Sequence, residues 1–178
     1  DLNTHGEIMD LIGLPRTPYA AINVHVNTTA PTKETAMARF CENFKCLDDS
    51  VKSRLVVEND DKLSQYDVKD LYHGIYSNIR IPITFDFHHY DCHPGEITKS
   101  NAFCLAKSTW HDVKQLCHFS SSKKIYEDAS SIQRAHADYI YEEIPDFGLD
   151  FEADIEIEAK AKELAVLQYL KQYNTELV

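Results

Sequence analysis

Short apolar segments alternate along the chain with longer amphipathic segments. Segments such as 20–26 (AAINVHV) and 53–58 (SRLVVE) are short and rich in β-branched residues, which predicts strands. Between them, apolar residues recur every three or four positions, which predicts helices. The predicted strands are 20–26, 53–58, 81–86, 113–118 and 154–158, and the predicted helices are one that opens at Pro31 and extends to Leu47, followed by 67–78, 96–107 and 159–173.

Two remaining segments are interpreted from residue type and spacing. Residues 120–135 are rich in Ser and Lys and are predicted to form a long loop. Near the start of the chain, Ile8, Leu11 and Ile12 give a short helical face. We therefore interpret residues 1–19 as the end of a preceding β/α unit.

The order of these elements predicts the fold class. Strands that alternate with helices form parallel β/α units, so we expect an α/β protein with residues 1–178 in a single domain. About five parallel strands are too few to close a TIM barrel, which has eight. The prediction is therefore a set of TIM-barrel-like (β/α) units in an incomplete or truncated barrel, or an open five-stranded sheet. In the first case, a further segment or another protein subunit would complete the barrel.

The composition is that of a globular protein. The 178 residues are 43% hydrophobic, which is enough for a substantial core. No run of about 18 apolar residues occurs, so no membrane span is expected, and no secretory signal is visible after Asp1. The five cysteines are odd in number and form no CxxC pair, which favours free thiols in a reducing, intracellular compartment. Cytosol, nucleus and mitochondrial matrix all fit this expectation.

The formal net charge of the chain is −11 at pH 7. Surfaces that bind nucleic acids are usually basic, because they neutralise phosphates. The charge therefore counts against a broad nucleic-acid-binding surface. It does not exclude one, since bound divalent cations would offset several carboxylates locally.

Every predicted strand ends in an ionisable side chain that can bind a metal ion. These residues are His25, Glu58, Asp86, His118 and Glu158. One such residue is ordinarily solvated, but five in succession indicate a shared site, because ligands bind at the carboxyl ends of parallel strands. Imidazole and carboxylate groups suit Zn, Mn or Fe-type divalent ions.

The third predicted strand offers a second candidate ligand. In Asp86-x-x-His89 an imidazole follows the strand-end carboxylate by three residues. A carboxylate can bridge two ions, and clustered carboxylates repel one another unless cations bind between them. A pair of ions about 3.5–4 Å apart is the usual arrangement for phosphodiester hydrolysis. The pattern therefore indicates a divalent-metal phosphodiesterase centre.

Six stretches of the sequence resemble the UV damage endonuclease family. The glutamate of the LEND-like strand, the D-x-x-H motif and the E-A-K start of the last helix are fairly specific when they occur together. The matching stretches are Arg54–Asp61, Ile81–His89, Thr109–Trp110, Cys117–Ser120, Ala135–Ile140 and Glu158–Glu163, in the order of the family. The resemblance implies the C-terminal part of a TIM barrel related to those of AP endonucleases and sugar isomerases.

The resemblance also implies a function and a set of site residues. It implies a DNA repair endonuclease that nicks damaged double-stranded DNA immediately 5′ of UV lesions, with divalent ions as cofactors, Mn favoured and Zn, Mg or Co as alternatives. Its catalytic residues would be Glu58, Asp86, His118 and Glu158. The implied metal ligands are His25, Glu58, Asp86, His89, His118, His136 and Glu158, of which His136 rests on the resemblance alone. Asn59 is a weaker candidate for contacting the substrate phosphate.

Two departures from the family pattern bear on activity. The family has earlier strands that supply further histidine ligands and lesion-probing residues, and these 178 residues contain no counterpart. The family also places a lysine, which can be modified into a metal ligand, two residues before the histidine that corresponds to His118. Leu116 occupies that position, and Lys114 lies two residues further back. Because leucine cannot bind a metal, a degenerate, inactive enzyme stays an alternative.

Two other functions fit part of the sequence. A non-catalytic structural or assembly subunit derived from such a nuclease fits the acidic charge, the short chain and Leu116. A metal-dependent sugar isomerase fits the acidic charge, since a sugar requires no basic groove. The LEND-like and D-x-x-H motifs fit the nuclease better than the isomerase.

Overall fold

A computed structural model describes residues 1–147 and 153–173 of the chain. Its five parallel strands form a sheet in the order β1-β2-β3-β4-β5, so each strand pairs with the next one in sequence. The strands are β1 (Ile22–Val24), β2 (Leu55–Glu58), β3 (Ile83–Asp86), β4 (Gln115–Phe119) and β5 (Ala153–Ile157). The α/β class, the parallel pairing and the half-barrel of five strands are confirmed.

Helical segments connect the strands. Thr32 and Thr98 each cap the helix that follows, because their side-chain oxygens accept a backbone hydrogen bond from the third residue along the chain. No helix in the described ranges is long and apolar enough to cross a membrane. The helical segments are α1 (Leu2–Leu11), α2 (Lys33–Lys45), α3 (Asp49–Lys52), α4 (Val68–Leu71), a π-helical turn (Tyr72–Tyr76), α5 (Ser77–Ile79), α6 (Phe87–Cys92), α7 (Lys99–Lys107), α8 (Lys123–Tyr126) and α9 (Glu163–Tyr173).

The segments that differ from the sequence prediction are local. Helix α6 follows β3 without a break, although no helix was predicted there, because the Asp86 side chain caps it. The predicted loop at 120–135 contains the short helix α8. Helix α1 forms as predicted, and its apolar face is largely exposed, since Ile8 is 50% and Leu11 is 85% exposed.

The two faces of the sheet have different side chains. In β3, Ile83 and Phe85 belong to the hydrophobic core beneath the helices. Thr84 and Asp86 alternate with them and therefore point to the opposite face, which corresponds to the inside of a barrel. All four residues are fully buried. The inner face thus carries polar side chains towards the carboxyl ends of the strands.

An aromatic cluster fixes helix α6 against the sheet. Phe87, the first residue of α6, is 1% exposed. Its ring centroid lies 4.9 Å from Phe85, 5.4 Å from Phe119, 6.0 Å from Phe103 and 6.1 Å from Phe147. Because Phe87 lies between Asp86 and His88 in the chain, this packing also constrains the positions of these two polar residues.

Candidate metal centre

The structure brings the seven candidate ligands together at the carboxyl ends of the strands. Some belong to the strands themselves, and others follow them directly or lie in the next connection. Glu58 and Asp86 end β2 and β3, His118 is the penultimate residue of β4, His25 and Glu158 directly follow β1 and β5, His89 lies in α6, and His136 lies between β4 and β5.

The carboxylate of Glu58 is the centre of this cluster. Its oxygens lie 3.0 Å from His89 Nδ1, 3.3 Å from His118 Nδ1 and 3.6 Å from His25 Nε2. The side chain is 4% exposed, and Asn23 of β1 donates a hydrogen bond to its Oε2. One buried carboxylate therefore faces three imidazoles that come from different parts of the chain.

Two groups of three side chains in the described ranges have the geometry to hold a metal ion. One group is His25, Glu58 and His89, and the other is Glu58, Asp86 and His118. Within each group, the candidate ligand atoms lie within 4.8 Å of one another. Because both groups contain Glu58, this carboxylate is placed to bridge two ions.

Several buried atoms of the cluster make no hydrogen bond. These atoms are Glu58 Oε1, Asp86 Oδ2 and both ring nitrogens of His118. A buried polar atom left in this state costs about 1–3 kcal/mol, so an interaction with a cation would be favourable. Carboxylate oxygens and imidazole nitrogens are also ligands that divalent transition ions prefer. The residues present therefore fit a divalent metal ion.

Contacts from both sides hold Asp86 in place. Its Oδ1 accepts a hydrogen bond from the backbone N–H of His89 at 2.7 Å. The Asn59 side chain accepts from the backbone N–H of Asp86 at 2.9 Å and donates to its carbonyl at 3.0 Å. Asn59 is 1% exposed, so it joins two strand ends, and the suggested contact with substrate phosphate does not agree with this geometry.

Glu158 and His136 form another side of the cluster. Glu158 Oε1 lies 3.4 Å from His118 Nδ1, and its Oε2 lies 3.5 Å from His136 Nδ1. His136 Nδ1 donates a hydrogen bond to the backbone carbonyl of Glu158 at 3.1 Å, and a β-bridge joins His136 to Ser122. Neither residue belongs to the two groups of three, but Glu158 contacts His118, and the ring centroid of His136 lies 6.1 Å from that of His89.

The charges of the cluster stabilise one another. Burial disfavours the charge of Glu58, but its close contacts with the imidazoles of His118 and His89 outweigh burial and hold the pKa of Glu58 well below its usual range. Burial also disfavours the imidazolium forms, yet interactions with Glu58 raise the pKa of His89 and of His118 to about 9. Burial raises the pKa of Asp86 to about 6. In the absence of an ion, the histidines therefore supply the positive charge that Glu58 requires.

His88 lies beside the cluster as a neutral imidazole. It is 3% exposed, and its ring centroid lies 5.3 Å from that of His136. Burial, followed by the nearby His136 and His89, lowers the pKa of His88 to about 4. His88 therefore packs against His136 without adding charge at neutral pH.

The sequence prediction missed three polar residues that touch the candidate ligands. The contacts are the hydrogen bond from Asn23 to Glu58, Asp60 Oδ1 to His25 Nδ1 at 2.9 Å, and Glu156 Oε2 to His118 Nε2 at 3.4 Å. Each of the three residues lies two positions from a predicted ligand in the sequence. Asn23 and Glu156 lie in β1 and β5, and because residues two apart in a strand share a face, this spacing is the signal that would have found these two.

Comparisons with known proteins give one consistent result. The family model for the UV-endonuclease UvdE matches residues 1–177. A UV-damage endonuclease from Schizosaccharomyces pombe is 31% identical over 182 residues, and a UV DNA damage endonuclease from Bacillus cereus is 33% identical over 183 residues. The crystal structure of SacUVDE matches with a TM-score of 0.80 at 30% sequence identity.

These matches cover nearly all of the chain but only part of the other proteins. The alignments include 97% of the chain with the S. pombe protein and 98% with the B. cereus protein and with SacUVDE. They include 29%, 55% and 58% of those three proteins, respectively. The chain therefore spans about half the length of the B. cereus relative and of SacUVDE, and less of the S. pombe relative.

Proposed function

The chain belongs to the UV-endonuclease UvdE family, and from that premise we propose that it carries the metal centre of a DNA repair endonuclease. The proposed reaction is a nick in the phosphodiester backbone immediately 5′ of a UV lesion in double-stranded DNA. The observation that supports this most strongly is the position of Glu58, whose carboxylate belongs to both groups of candidate metal ligands.

The residues of the cluster have different proposed roles in holding the ions. Glu58 would bridge the ions, with His25 and His89 on one side and Asp86 and His118 on the other. Bound divalent ions supply Lewis-acid stabilisation of phosphoryl oxygens and an activated water.

Two further residues would support this arrangement. Glu158 orients the rings of His118 and His136, because its two carboxylate oxygens face one ring each.

We propose Mn as the metal, with Zn, Mg or Co as alternatives, since the cluster combines imidazole with carboxylate and the two groups of described ligands contain no thiolate.

The net charge of −11 is compatible with DNA as the substrate if the ions are bound. Glu58, Asp86 and Glu158 concentrate negative charge where the DNA backbone would have to approach. Bound cations would reverse the local charge and attract phosphate there. The protein is therefore expected to bind DNA more weakly once its metal is removed.

A specific residue favours a second candidate function, that of a metal-binding but non-catalytic subunit. Leu116 of β4 pairs with Asp154 of β5 and has an apolar side chain. It offers no ligand in the strand that carries His118. A centre that holds ions but lacks one ligand would serve the structure of an assembly without cleaving DNA.

A nicking assay tests the proposed function. We expect the purified chain with Mn²⁺ to convert UV-irradiated supercoiled plasmid to the nicked circle, with nicks that map immediately 5′ of the lesions. Unirradiated plasmid and samples with EDTA should stay supercoiled. Glu96→Gln, which changes a surface carboxylate paired with Lys69, should behave as the unmodified chain. Stoichiometric Mn²⁺ binding without nicking would favour the non-catalytic subunit.

Metal binding should weaken as the pH falls. Interactions with Glu58 raise the pKa of His89 and His118 to about 9, so both rings are protonated at neutral pH and must lose a proton to bind an ion. The affinity for the metal ion should therefore increase as the pH rises to about 9. Below about pH 6 the affinity should be lower still, because Asp86 becomes protonated there.

Titration calorimetry with Zn²⁺ in buffers of different ionisation enthalpy checks this pH dependence. At neutral pH we expect net release of up to about two protons for two ions bound. His5→Ala removes an exposed histidine outside the cluster and serves as the control. An affinity that stays constant between neutral and alkaline pH would contradict the expectation.

A further inference from the structure

The two ring nitrogens of His25 face different carboxylates. Its Nε2 lies 3.6 Å from Glu58 Oε2, towards the centre of the cluster. Its Nδ1 lies 2.9 Å from Asp60 Oδ1, a carboxylate outside the two ligand groups that can accept the Nδ1 proton. A ring whose Nδ1 donates in this way presents Nε2 as its metal-binding atom.

His118 has the opposite arrangement. Its Nε2 lies 3.4 Å from Glu156 Oε2. Its Nδ1 lies 3.3 Å from Glu58 Oε2 and 3.4 Å from Glu158 Oε1. The nitrogen that faces the centre of the cluster is therefore Nδ1, and the outer partner of the ring is Glu156.

The pairing of β4 with β5 explains why Glu156 meets His118. The two residues are direct partners in the parallel register, so their side chains project from the same face of the sheet. Glu158 lies two positions further along and shares that face. His118 is thereby held between two carboxylates of one strand end, one at each ring nitrogen.

We propose that Glu156 is a positioning residue that, once an ion is bound, accepts the Nε2 proton of His118 across the present distance of 3.4 Å, so that His118 binds the metal through Nδ1. This inference rests on the proposed metal centre. A carboxylate that takes the proton of the outer nitrogen fixes the tautomer and the ring orientation of a metal-bound histidine, and makes it a stronger ligand. His25 would bind through Nε2, with Asp60 as its outer carboxylate, so the two rings use opposite nitrogens.

Asp154 provides a matched comparison for Glu156. It also lies in β5, two residues earlier and on the same face, and its side chain is 44% exposed against 63% for Glu156. Asp154 pairs with Lys114 at 2.7 Å instead of with a histidine. Changing either residue to alanine removes one negative charge from the same strand, but only Glu156→Ala removes the partner of His118.

Zinc affinity of the full chain measures the effect of Glu156. We expect Glu156→Ala to weaken Zn²⁺ binding by about tenfold, at the lower end of the range for outer carboxylates because this side chain is exposed. Glu156→Gln should restore part of the affinity, since its amide oxygen still accepts the Nε2 proton but carries no charge. Asp154→Ala should change the affinity by less than about threefold.

Nitrogen-15 NMR of the histidine rings reads the tautomer directly in the Zn²⁺-loaded chain. We expect His118 to carry its proton on Nε2 and the metal on Nδ1, and His25 to show the reverse. Zinc bound to Nε2 of His118, or equal affinities for Glu156→Ala and Asp154→Ala, would overturn the assignment of Glu156. Failure of the unmodified chain to bind Zn²⁺ would instead overturn the metal centre itself.

Discussion

Glu58→Gln should leave the chain without bound metal at concentrations where the unmodified chain binds ions in both groups of ligands. The substitution keeps the size of the side chain but replaces an anionic oxygen, which can bridge two ions, with an amide nitrogen. Both groups of candidate ligands contain Glu58, so both should lose their ion together. This is the largest effect on metal content that we expect from one substitution.

Elemental analysis after dialysis against Mn²⁺ or Zn²⁺ checks this expectation. Two further variants give the comparison. His25→Ala affects only the group with His89 and should therefore retain part of the metal. Glu96→Gln, at a side chain 79% exposed, should retain all of it. Circular dichroism would establish that the variants are folded. A Glu58→Gln protein with unchanged metal content would show that Glu58 does not bridge the ions.

Phe87→Ala should destabilise the chain by about 3–5 kcal/mol, as large-to-small changes of buried aromatic residues do. Phe87 is 1% exposed and contacts four other phenylalanine rings from β3, α7, β4 and the connection before β5. Its removal deletes apolar contacts and leaves a cavity between the sheet and the helices. For a chain of this size, the midpoint of thermal unfolding should fall by on the order of 10 °C.

Chemical denaturation followed by circular dichroism measures this loss. Leu63→Ala removes an aliphatic side chain that is 75% exposed and should change the free energy of unfolding by at most about 0.5 kcal/mol. Both measurements should be made in metal-free buffer, because a metal ion that binds only the folded state would add its own stabilisation. Equal losses for the two variants would contradict the role of the aromatic cluster as the core around α6.

The order and type of the main elements could be predicted from the sequence because their signals are local. Segments such as Leu55–Glu58 and Ile83–Asp86 are short and mostly apolar. In the segments between the strands, apolar residues recur every three or four positions. Helix α6 was missed because a side-chain cap, not an apolar pattern, starts it. The exposure of the apolar face of α1 could not be predicted, because periodicity shows which residues align along a helix but not what that helix contacts.

The candidate site could be predicted in part for a similar reason. The carboxyl ends of parallel strands lie on the same edge, so His25, Glu58, Asp86 and His118 were expected to meet wherever the strands paired. His136 lies in the connection between β4 and β5, where no local pattern marks it, and only the family motif identified it. The β-bridge between His136 and Ser122, which follows β4 closely, places His136 near the strand ends.

The sequence by itself determined the parallel strands, the polar residues at their ends and therefore the location of the centre. Only the tertiary structure decided that Glu58 belongs to both ligand groups, and that His118 presents Nδ1 where His25 presents Nε2. These properties depend on strand register and on distances of a few ångströms between residues far apart in the chain. Such distances follow from how the whole sheet packs, and no local stretch of sequence contains them.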